Sequence, residues 1–530
     1  MSEEQIEQSI ERGDSRRISR RFSKSRNDLA LGAICLTSLM FGLEISSVPV
    51  TLPVLQRVFD GNFRDMQWIM NAYTLAVTTV LMATGALVDR FGRRTVFLTS
   101  LALFGLTSLV CGLAQNIPML VIGRGLQGAS GGAMLISQVA VLSHQFEEGR
   151  ERSKAFSAWG VLLGIGLGFG PTIGGFLVDE LGWQWVFLIH VLPAPFTFLL
   201  LWLGVTESRN ADAQTLDVAG MVTLSIGVFG LVFAITQGPE MGFTSAYTVR
   251  IVAGSALALI AFIWVERVNP RPMFDFTVFR IPRFSGALMG SIGMNFSFWP
   301  FMIYIPIYFQ VVLGYDPMTA GLALLAYTVP TLLFPPLGER IVVRFGPGAA
   351  IPAGLFTIGL GFFCMKLGSI VSHPSALTML PGCVLAGAGL GLTNTPVTNT
   401  TTGAVTANRA GMASGIDMTA RMLTLAMNIA LMGAILISGM LTELKARLPD
   451  TIGASLLHRL AEKVIAGDLG AVHDDLPALK ALDPSGAIVR AALNHGFGWT
   501  MVYGGIGVWV LAALSVLIFR SGSARRCTGA

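Results

Sequence analysis

Long apolar stretches alternate with short polar turns over most of the chain. A helix that crosses the roughly 30 Å core of a bilayer needs about 20 apolar residues, and these stretches have that length. The pattern therefore predicts fourteen membrane-spanning helices. Their expected bounds are Leu29 to Val50, Trp68 to Val88, Thr95 to Leu113, Pro118 to Leu142, Ala155 to Val178, Trp185 to Val205, Val218 to Thr236, Thr248 to Val268, Phe284 to Leu313, Met318 to Leu337, Ala349 to Ile370, Ser375 to Pro396, Gly411 to Met440 and Gly496 to Phe519.

The composition supports this interpretation, because 53% of the residues are hydrophobic and only 13% are charged. A water-soluble globular protein could not bury so many apolar side chains, whereas a polytopic helical membrane protein has this balance. The predicted fold class is therefore all-α integral membrane. Membrane proteins carry basic residues on their cytoplasmic loops, which explains the net charge of +5 without nucleic acid as a partner.

Basic residues also set the orientation of the predicted helices. Residues 1–28 form a basic tail that lacks the apolar core of a signal peptide, and the short tail 520–530 is basic as well. Because an even number of spans leaves both ends on one side, both tails are predicted to be cytoplasmic. The long segment 441–495 is expected outside, and it contains a helix-like run from Leu456 to Ile465.

The turn after the second span holds the strongest motif, GALVDRFGRR from Gly85 to Arg94. Small residues allow close helix packing, and a carboxylate is stable at the positive end of a helix. The motif resembles the cytoplasmic loop signature of the major facilitator superfamily, which implies that the acid contacts a helix terminus and latches one conformation. An ordinary basic turn is the alternative. The implied latch residues are Gly85, Asp89, Arg90, Gly92 and Arg93.

A shorter copy of this turn follows the tenth span, where VVRFG from Val342 to Gly346 repeats the spacing of VDRFG from Val88 to Gly92. Two related halves are typical of transporters whose binding site opens to each side in turn. Val343 stands at the position of the acid, so a latch of this kind is expected only in the first half.

Arg124 lies inside the fourth span, where a lone charge is costly unless it is paired. The segment from Leu120 to Gly128 resembles the embedded-arginine motif of the superfamily. This resemblance implies that Arg124 lies near the proton-binding acid and biases its ionisation. The alternative is an arginine whose side chain extends to the cytoplasmic surface of the membrane.

The fifth span carries a face of small residues together with a proline that permits a bend. This face is similar to the antiporter motif of proton-coupled exporters, which favours export over symport. A face that serves only helix packing is the alternative. The implied motif consists of Gly164, Gly168, Gly170, Pro171, Gly174 and Gly175.

Glu44 is the first candidate for a proton carrier, because a carboxyl group in apolar surroundings can bind and release protons near neutral pH. The segment from Leu43 to Pro53 resembles the first-helix motif of the fourteen-spanning drug:proton antiporter family, the EmrB and QacA type. That family has an aspartate where Glu44 stands and an asparagine where Pro49 stands. A neutral acid that is hydrogen-bonded within the bundle is the alternative.

Asp417 and Arg421 share one face of the thirteenth span because they are four residues apart. Asp417 is the second candidate for protonation or for attracting a cationic substrate, and the resemblance matches Arg421 to an arginine of the family. The alternative is an ion pair that only hides two charges from lipid.

Aromatic rings can hold apolar and cationic ligands, and the ninth span is rich in them. We expect Tyr304 and Tyr308 to line a substrate cavity, with Tyr73 and Asn394 adding polar contacts. The segment that enters the sixth span also resembles the family, and there His190 is expected to be a hydrogen-bonded structural residue rather than a proton relay.

The resemblance implies the major facilitator fold with 14 transmembrane helices, divided into a six-helix bundle at 29–205, two additional helices at 218–268 and a second six-helix bundle at 284–519. It also implies a proton-coupled multidrug efflux antiporter that exports lipophilic cationic compounds by alternating access across a bacterial cytoplasmic membrane. Proton-coupled export of an endogenous lipid, siderophore or metabolite is the alternative.

The expected partners are membrane lipid, protons and a small-molecule substrate, and the protein is expected to be monomeric. The sequence leaves open whether a periplasmic adaptor binds the external segment. A polytopic membrane enzyme is the remote alternative. The absence of a Walker-type phosphate loop disfavours ATP hydrolysis, and the G-x-S-x-G sequence from Gly128 to Gly132 lies inside a predicted helix rather than in a nucleophile elbow. Its histidines and cysteines lack metal spacing, so no metal or cofactor is expected.

Overall fold

The computed structural model describes residues 3–60, 63–209, 217–242, 244–269, 274–315, 317–371, 373–406, 409–448, 453–465, 483 and 486–527. Every regular element in these ranges is helical. The helices are α1 (Glu3–Val58), α2 (Phe63–Phe91), α3 (Arg93–Gly112), α4 (Ile117–Gln145), α5 (Arg150–Glu180), α6 (Trp185–Leu188), α7 (Pro193–Gly204), α8 (Val218–Met241), α9 (Ala246–Val268), α10 (Pro282–Ile307), α11 (Pro317–Leu333), α12 (Pro335–Phe345), α13 (Pro347–Ser369), α14 (Ala376–Gly403), α15 (Ala410–Arg447), α16 (Ala454–Ile465) and α17 (Ala487–Cys527).

Thirteen helical segments in the described ranges are long and apolar enough to cross a membrane. They match thirteen of the fourteen predicted spans, and α4 corresponds to the remaining one. α4 has 29 residues and packs against α2 and α3, but Arg124, Gln127 and several serines lower its mean hydropathy. The predicted all-α membrane fold class is confirmed.

The sixth span is interrupted, although the sequence predicted one continuous helix from Trp185 to Val205. α6 ends at Leu188, and α7 begins at Pro193 after a four-residue turn. Proline has no backbone N–H to donate, so it is accommodated at the start of a helix rather than in its interior. The turn carries His190, which is buried.

The ninth and tenth spans also depart from regular helices. α10 contains Pro300 and Pro306, and a π-helical turn from Tyr308 to Val312 follows it. The tenth span is divided at Phe334 into α11 and α12, and α12 starts with Pro335. Prolines remove helical hydrogen bonds at each of these places.

Part of the predicted external segment 441–495 is helical. α15 continues to Arg447, and α17 already begins at Ala487. The helix-like run is confirmed as α16, which buries one face of apolar side chains in a hydrophobic core. The remaining residues, 449–452, 466–482, 484 and 485, lie outside the described residues. The buried side chains of α16 are Leu457, Leu460, Ala461 and Val464.

The chain divides into two units. The first comprises residues 1–229, 260–274 and 405–416, and so holds α1 to α7, the start of α8, the end of α9 and the first turns of α15. Its principal helix pairs are α1 with α5 and α2 with α4. These four helices position the polar residues described below.

The second unit comprises residues 230–259, 275–404 and 417–530. α13 packs against α14 and α17, and the core is rich in aromatic rings. Phe298 stacks on Tyr327 with ring centroids 4.2 Å apart, and Phe301 contacts Phe362 at 5.0 Å. α8 and α9, predicted from the sequence as two additional helices, each contribute residues to both units.

Candidate functional site

Glu44 lies on α1 and is completely buried, with a basic partner at each carboxylate oxygen. Oε1 accepts a hydrogen bond from Nη1 of Arg124 on α4. Nε2 of His190 lies 2.9 Å from Oε2. The three residues, which are far apart in the sequence, therefore form one buried charged cluster in the first unit.

Arg124 is only 1% exposed, so its guanidinium does not reach the membrane surface. Nη1 also donates to Oε1 of Gln127 at 2.7 Å, and Nε donates to the Ile69 carbonyl at 3.2 Å. The guanidinium carbon lies 4.3 Å from the centroid of the Tyr73 ring, a cation–π distance. These contacts fit a paired arginine and leave no support for an arginine that extends to the cytoplasmic surface.

A second layer of polar groups orients this cluster. Gln127 donates from Nε2 to the hydroxyl of Ser108 at 2.8 Å, which fixes the amide oxygen toward Arg124. Tyr73 is 4% exposed, and its hydroxyl has no hydrogen-bond partner among the described residues. A buried hydroxyl without a partner is costly, so this oxygen is suited to a ligand or a water molecule.

His190 lies in the turn between α6 and α7 and contacts Glu44 from there. Its ring packs edge-on against Phe104 with centroids 5.6 Å apart. The sequence predicts a structural role for His190 and contains no signal that connects it with Glu44. A histidine in an apolar stretch, three residues before Pro193, was the available signal of a broken helix.

α1 and α5 approach each other through small residues, which fixes the position of Glu44 on α1. A Cβ atom on Gly166 would lie 2.7 Å from the Leu39 carbonyl oxygen and 2.9 Å from the Gly42 Cα. Gly170 lies against Ser46, and a Cβ atom on Gly174 would lie 2.9 Å from Ser47 Cβ.

The contact face of α5 differs from the predicted motif. Gly166, which the motif did not include, joins Gly170 and Gly174 at a spacing of four residues. Gly164, Gly168 and Gly175 are half-buried, and Pro171 is exposed within the helix. The observed packing fits the structural alternative, and the antiporter role of these residues stays a prediction.

Asp89 binds the start of α15. Oδ1 accepts from the Gly411 amide at 3.2 Å, and Oδ2 accepts from the Met412 amide at 3.1 Å. Gly85 permits this approach, because a Cβ atom there would lie 2.6 Å from the Gly411 carbonyl oxygen. A carboxylate at the amino terminus of a helix is stabilised by the free amides and the helix dipole. All of these residues belong to the first unit.

The neighbouring basic residues of the predicted latch have different contacts. Arg93 is 1% exposed, and its Nη2 lies 3.4 Å from Oδ1 of Asp89. Gly92 has a φ of 102° between α2 and α3, in a region that favours glycine. Arg90 is half-buried, with its guanidinium 5.3 Å from the ring of the adjacent Phe91.

Glu207 belongs to this turn, although the sequence reasoning did not identify it. Its carboxylate accepts from the Arg94 amide at 3.2 Å and from the Thr95 amide at 3.0 Å, and it lies against Gly92. It therefore caps the amino terminus of α3. No motif in the sequence connects Glu207 with this turn, because α3 to α7 separate them.

Asp417 is completely buried in the second unit, and it too has an arginine partner. Its Oδ2 lies 3.1 Å from Nη2 of Arg421, and its Oδ1 accepts from the Ser291 hydroxyl. Arg421 also donates to Asn394 at 2.6 Å and to Thr398 at 2.7 Å. Asn394, predicted to contact substrate, here orients Arg421.

Tyr304 and Tyr308, predicted to line a cavity, are packed into the second unit. The Tyr304 hydroxyl donates to the Ile429 carbonyl at 2.7 Å, and the Tyr308 hydroxyl lies 3.2 Å from Oδ1 of Asn494. Both rings are buried, Tyr308 completely. In this conformation the two tyrosines join α10 and the π-helical turn to α15 and α17.

Buried carboxylates with basic partners are groups that in general can bind protons or attract cations. Glu44 in the first unit and Asp417 in the second are each completely buried in contact with an arginine, and the imidazole of His190 lies beside Glu44. Within the described residues, no group of three His, Cys, Asp or Glu side chains could hold a metal ion.

Comparisons with known proteins show the family of the chain. A family model described as the Major Facilitator Superfamily matches residues 34–428. The chain is 33% identical over 441 residues to the multidrug resistance protein Stp of Mycobacterium tuberculosis, covering 82% of this chain and 81% of that protein. It is 28% identical over 500 residues to the tetracenomycin C resistance and export protein of Streptomyces glaucescens, covering 91% and 90%.

The fold is also similar to a solved structure. The proton:xylose symporter XylE bound to 6-bromo-6-deoxy-D-glucose matches with a TM-score of 0.60, covering 94% of this chain and 96% of that one. The sequence identity is 15%, so the likeness concerns the fold alone.

Proposed function

Because the chain belongs to the major facilitator superfamily, we propose that it exports lipophilic, cationic compounds across a bacterial cytoplasmic membrane in exchange for protons. Relatives named for multidrug resistance and for export of one compound support the transport of drug-like molecules. The observation that carries the proton coupling is Glu44, completely buried between Arg124 and His190.

Glu44 is the proposed proton carrier. When Glu44 is ionised, its charge balances Arg124; when it binds a proton, the cluster gains one positive charge. A cationic substrate is favoured near the ionised cluster and disfavoured near the protonated one. Proton and substrate would thus bind in turn, and inward movement of protons would drive outward movement of substrate by alternating access.

Asp417 is proposed as the second site for protonation or for attracting a cation, with Arg421 as its counter-ion. Substrate contact is assigned first to Tyr73, whose buried hydroxyl has no hydrogen-bond partner among the described residues. Tyr304, Tyr308 and Asn394 would have to leave their present hydrogen bonds to reach a substrate.

The test is substrate-evoked proton release from everted vesicles with an acidic interior, upon addition of lipophilic monocations and dications. The parent protein is expected to release protons, and Glu44→Gln to lose at least nine-tenths of the release. Glu151→Gln is the matched control, because Glu151 is exposed at the start of α5. Unaltered proton release in Glu44→Gln would show that another residue carries the proton. Asp417→Asn is the variant to measure next.

Export of one endogenous lipid, siderophore or metabolite is the second candidate. It is favoured by the relative in Streptomyces, whose name specifies resistance to and export of a single compound. A substrate panel separates the two proposals: several unrelated cations that each release protons support multidrug efflux, whereas release by one compound alone supports the dedicated exporter.

We further propose that both tails lie in the cytoplasm and that the monomer is the working unit. Reporter fusions to residues 1–28 and 520–530 test the orientation. A periplasmic adaptor would bind within the segment 441–495, and co-purification with the intact segment but not with a shortened one would identify it.

A further inference from the structure

We infer that His190 and Glu44 hold the coupling proton together, as one proton-binding pair, instead of Glu44 holding it alone. This inference rests on the proposed antiport and deepens it. Its basis is geometric: Nε2 of His190 lies 2.9 Å from Oε2 of Glu44, both side chains are buried, and the other carboxylate oxygen is already bound to Arg124.

Arg124 opposes protonation of an isolated Glu44. The guanidinium is permanently charged, and it is buried in contact with Oε1. If the carboxylate were neutralised alone, a buried cation would be left without its counter-ion, which is costly. A base on the opposite oxygen lowers this cost, because the proton can then be accepted while the carboxylate stays ionised as the counter-ion of Arg124.

The imidazole of His190 is suited to be the base that accepts the proton beside Glu44. Histidine is the side chain whose unperturbed titration falls closest to physiological pH. One proton added to the pair raises its charge by one, whether the proton lies on Oε2 or on the imidazole. In the second form a single carboxylate faces two cations, Arg124 at Oε1 and imidazolium at Oε2. Release of the proton restores neutral imidazole and the Glu44–Arg124 pair.

The other titratable groups around the pair do not take its place. Tyr73 on α2 lies under Arg124, and Cys111 on α3 has its Sγ 3.7 Å from Oε1 of Gln127. A buried phenol and a buried thiol stay neutral near pH 7. α1 contributes Glu44 and α4 contributes Arg124, so His190 is the group in the cluster that can change its charge together with Glu44.

The first experiment compares the pH dependence of substrate-evoked proton release in the parent, His190→Gln and His144→Gln. Without the imidazole, Glu44 must bind its proton against Arg124. The pH of half-maximal release is therefore expected to fall by at least one unit in His190→Gln. His144 is exposed at the end of α4, so His144→Gln should keep the parental profile. A parental profile with a lower rate in His190→Gln would mean that His190 only positions Glu44, and would overturn the inference while leaving antiport intact.

The second experiment does not depend on transport. NMR of protein labelled at histidine in lipid nanodiscs follows all six imidazoles, and His190→Gln identifies the signal of His190. The signal is expected to titrate between pH 5 and pH 8.5 and to move its midpoint in Glu44→Gln. An imidazole that stays neutral throughout this range would overturn the inference. Parent vesicles that release no protons would instead count against the proposed function.

Discussion

At the scale of single residues, both intramembrane carboxylates proposed to bind protons contact arginines of their own unit. Glu44 pairs with Arg124, and Asp417 pairs with Arg421. Each arginine also donates to a neutral amide, Gln127 in the first pair and Asn394 in the second, which lowers the cost of burying two charges in an apolar interior. Such pairs are sensitive to the loss of one member, because the other charge stays buried.

The second pair provides a direct test of this sensitivity. Asp417→Asn leaves Arg421 with its bonds to Asn394 and Thr398 but without a counter-ion. The free energy of unfolding should therefore fall by about 3–5 kcal/mol. The double variant Asp417→Asn with Arg421→Gln should recover more than half of this loss. Thermal unfolding in detergent micelles measures both variants. A double variant less stable than the single one would show that Arg421 stabilises the unit without Asp417.

The sequence identified these residues but not all of their contacts. A charged residue in an apolar span is conspicuous, so Glu44, Arg124 and Asp417 could be named from the sequence alone. The four-residue spacing on one helix also predicted the contact of Asp417 with Arg421. The contact of His190 with Glu44 depends on the turn between α6 and α7, and no spacing rule predicts the geometry of such a turn.

At the scale of helices, the approach of α1 to α5 determines where Glu44 lies. Gly166, Gly170 and Gly174 allow α1 to lie directly against the backbone of α5. Gly42 contributes the matching gap on α1, two residues before Glu44. Small residues at helix interfaces allow such contacts because they add no side chain between the two backbones.

A methyl group in this interface should separate the two helices. Gly166→Ala is expected to destabilise the protein by about 1–3 kcal/mol, as overpacking does in other cores, and to reduce proton release by displacing Glu44. The matched control is Gly125→Ala on α4, where a Cβ atom would meet nothing within 4 Å. Thermal unfolding and vesicle proton release should change only in the first variant. Equal melting temperatures would mean that the interface tolerates a wider spacing.

Helix positions were predictable from apolar runs, and helix irregularities were not. The fourteen runs correspond to helical segments, because the bilayer thickness fixes the length of each. The interruption before Pro193 and the π-helical turn after Pro306 depend on how nearby helices satisfy the backbone, which a single sequence does not specify. Likewise, hydropathy could not indicate that α16 packs into a core.

At the scale of the whole molecule, the two related turns have the same local geometry but different polar contacts. Gly92 between α2 and α3 has a φ of 102°, and Gly346 between α12 and α13 has a φ of 81°. The first copy has Asp89, which binds the amides at the start of α15, whereas Val343 occupies the same position in the second copy. This difference supports the proposal that the latch belongs to the first half.

The latch should be visible in the exchange of backbone amides. Asp89→Asn keeps the side-chain volume but loses the charge, so the Gly411 and Met412 amides should exchange about tenfold faster, a change of about 1.4 kcal/mol. Hydrogen–deuterium exchange of the peptide that contains both residues measures this effect. Asp275→Asn is the control, because Asp275 caps a different element, the short 3-10 helix Phe276–Arg280. Unchanged exchange and unchanged turnover in Asp89→Asn would count against the latch.

Much of the molecular plan could be predicted from the sequence. The superfamily and the all-α membrane fold followed from motifs concentrated in the first six spans. The division into two units was only partly predictable, because α8, α9 and α15 each contribute to both units. A helix whose residues belong to both units cannot be recognised from its apolar run. The run looks the same on either side of the residue where the helix stops packing in one unit and begins packing in the other.

The uninterrupted course of α15 has a consequence for genetics. Its first turns, bound to Asp89, belong to the first unit, while Asp417 lies on the same helix and belongs to the second. Second-site mutations that restore growth on a toxic substrate to an Asp89 variant should therefore concentrate in the first turns of α15, where the Gly411 and Met412 amides have lost their charged acceptor.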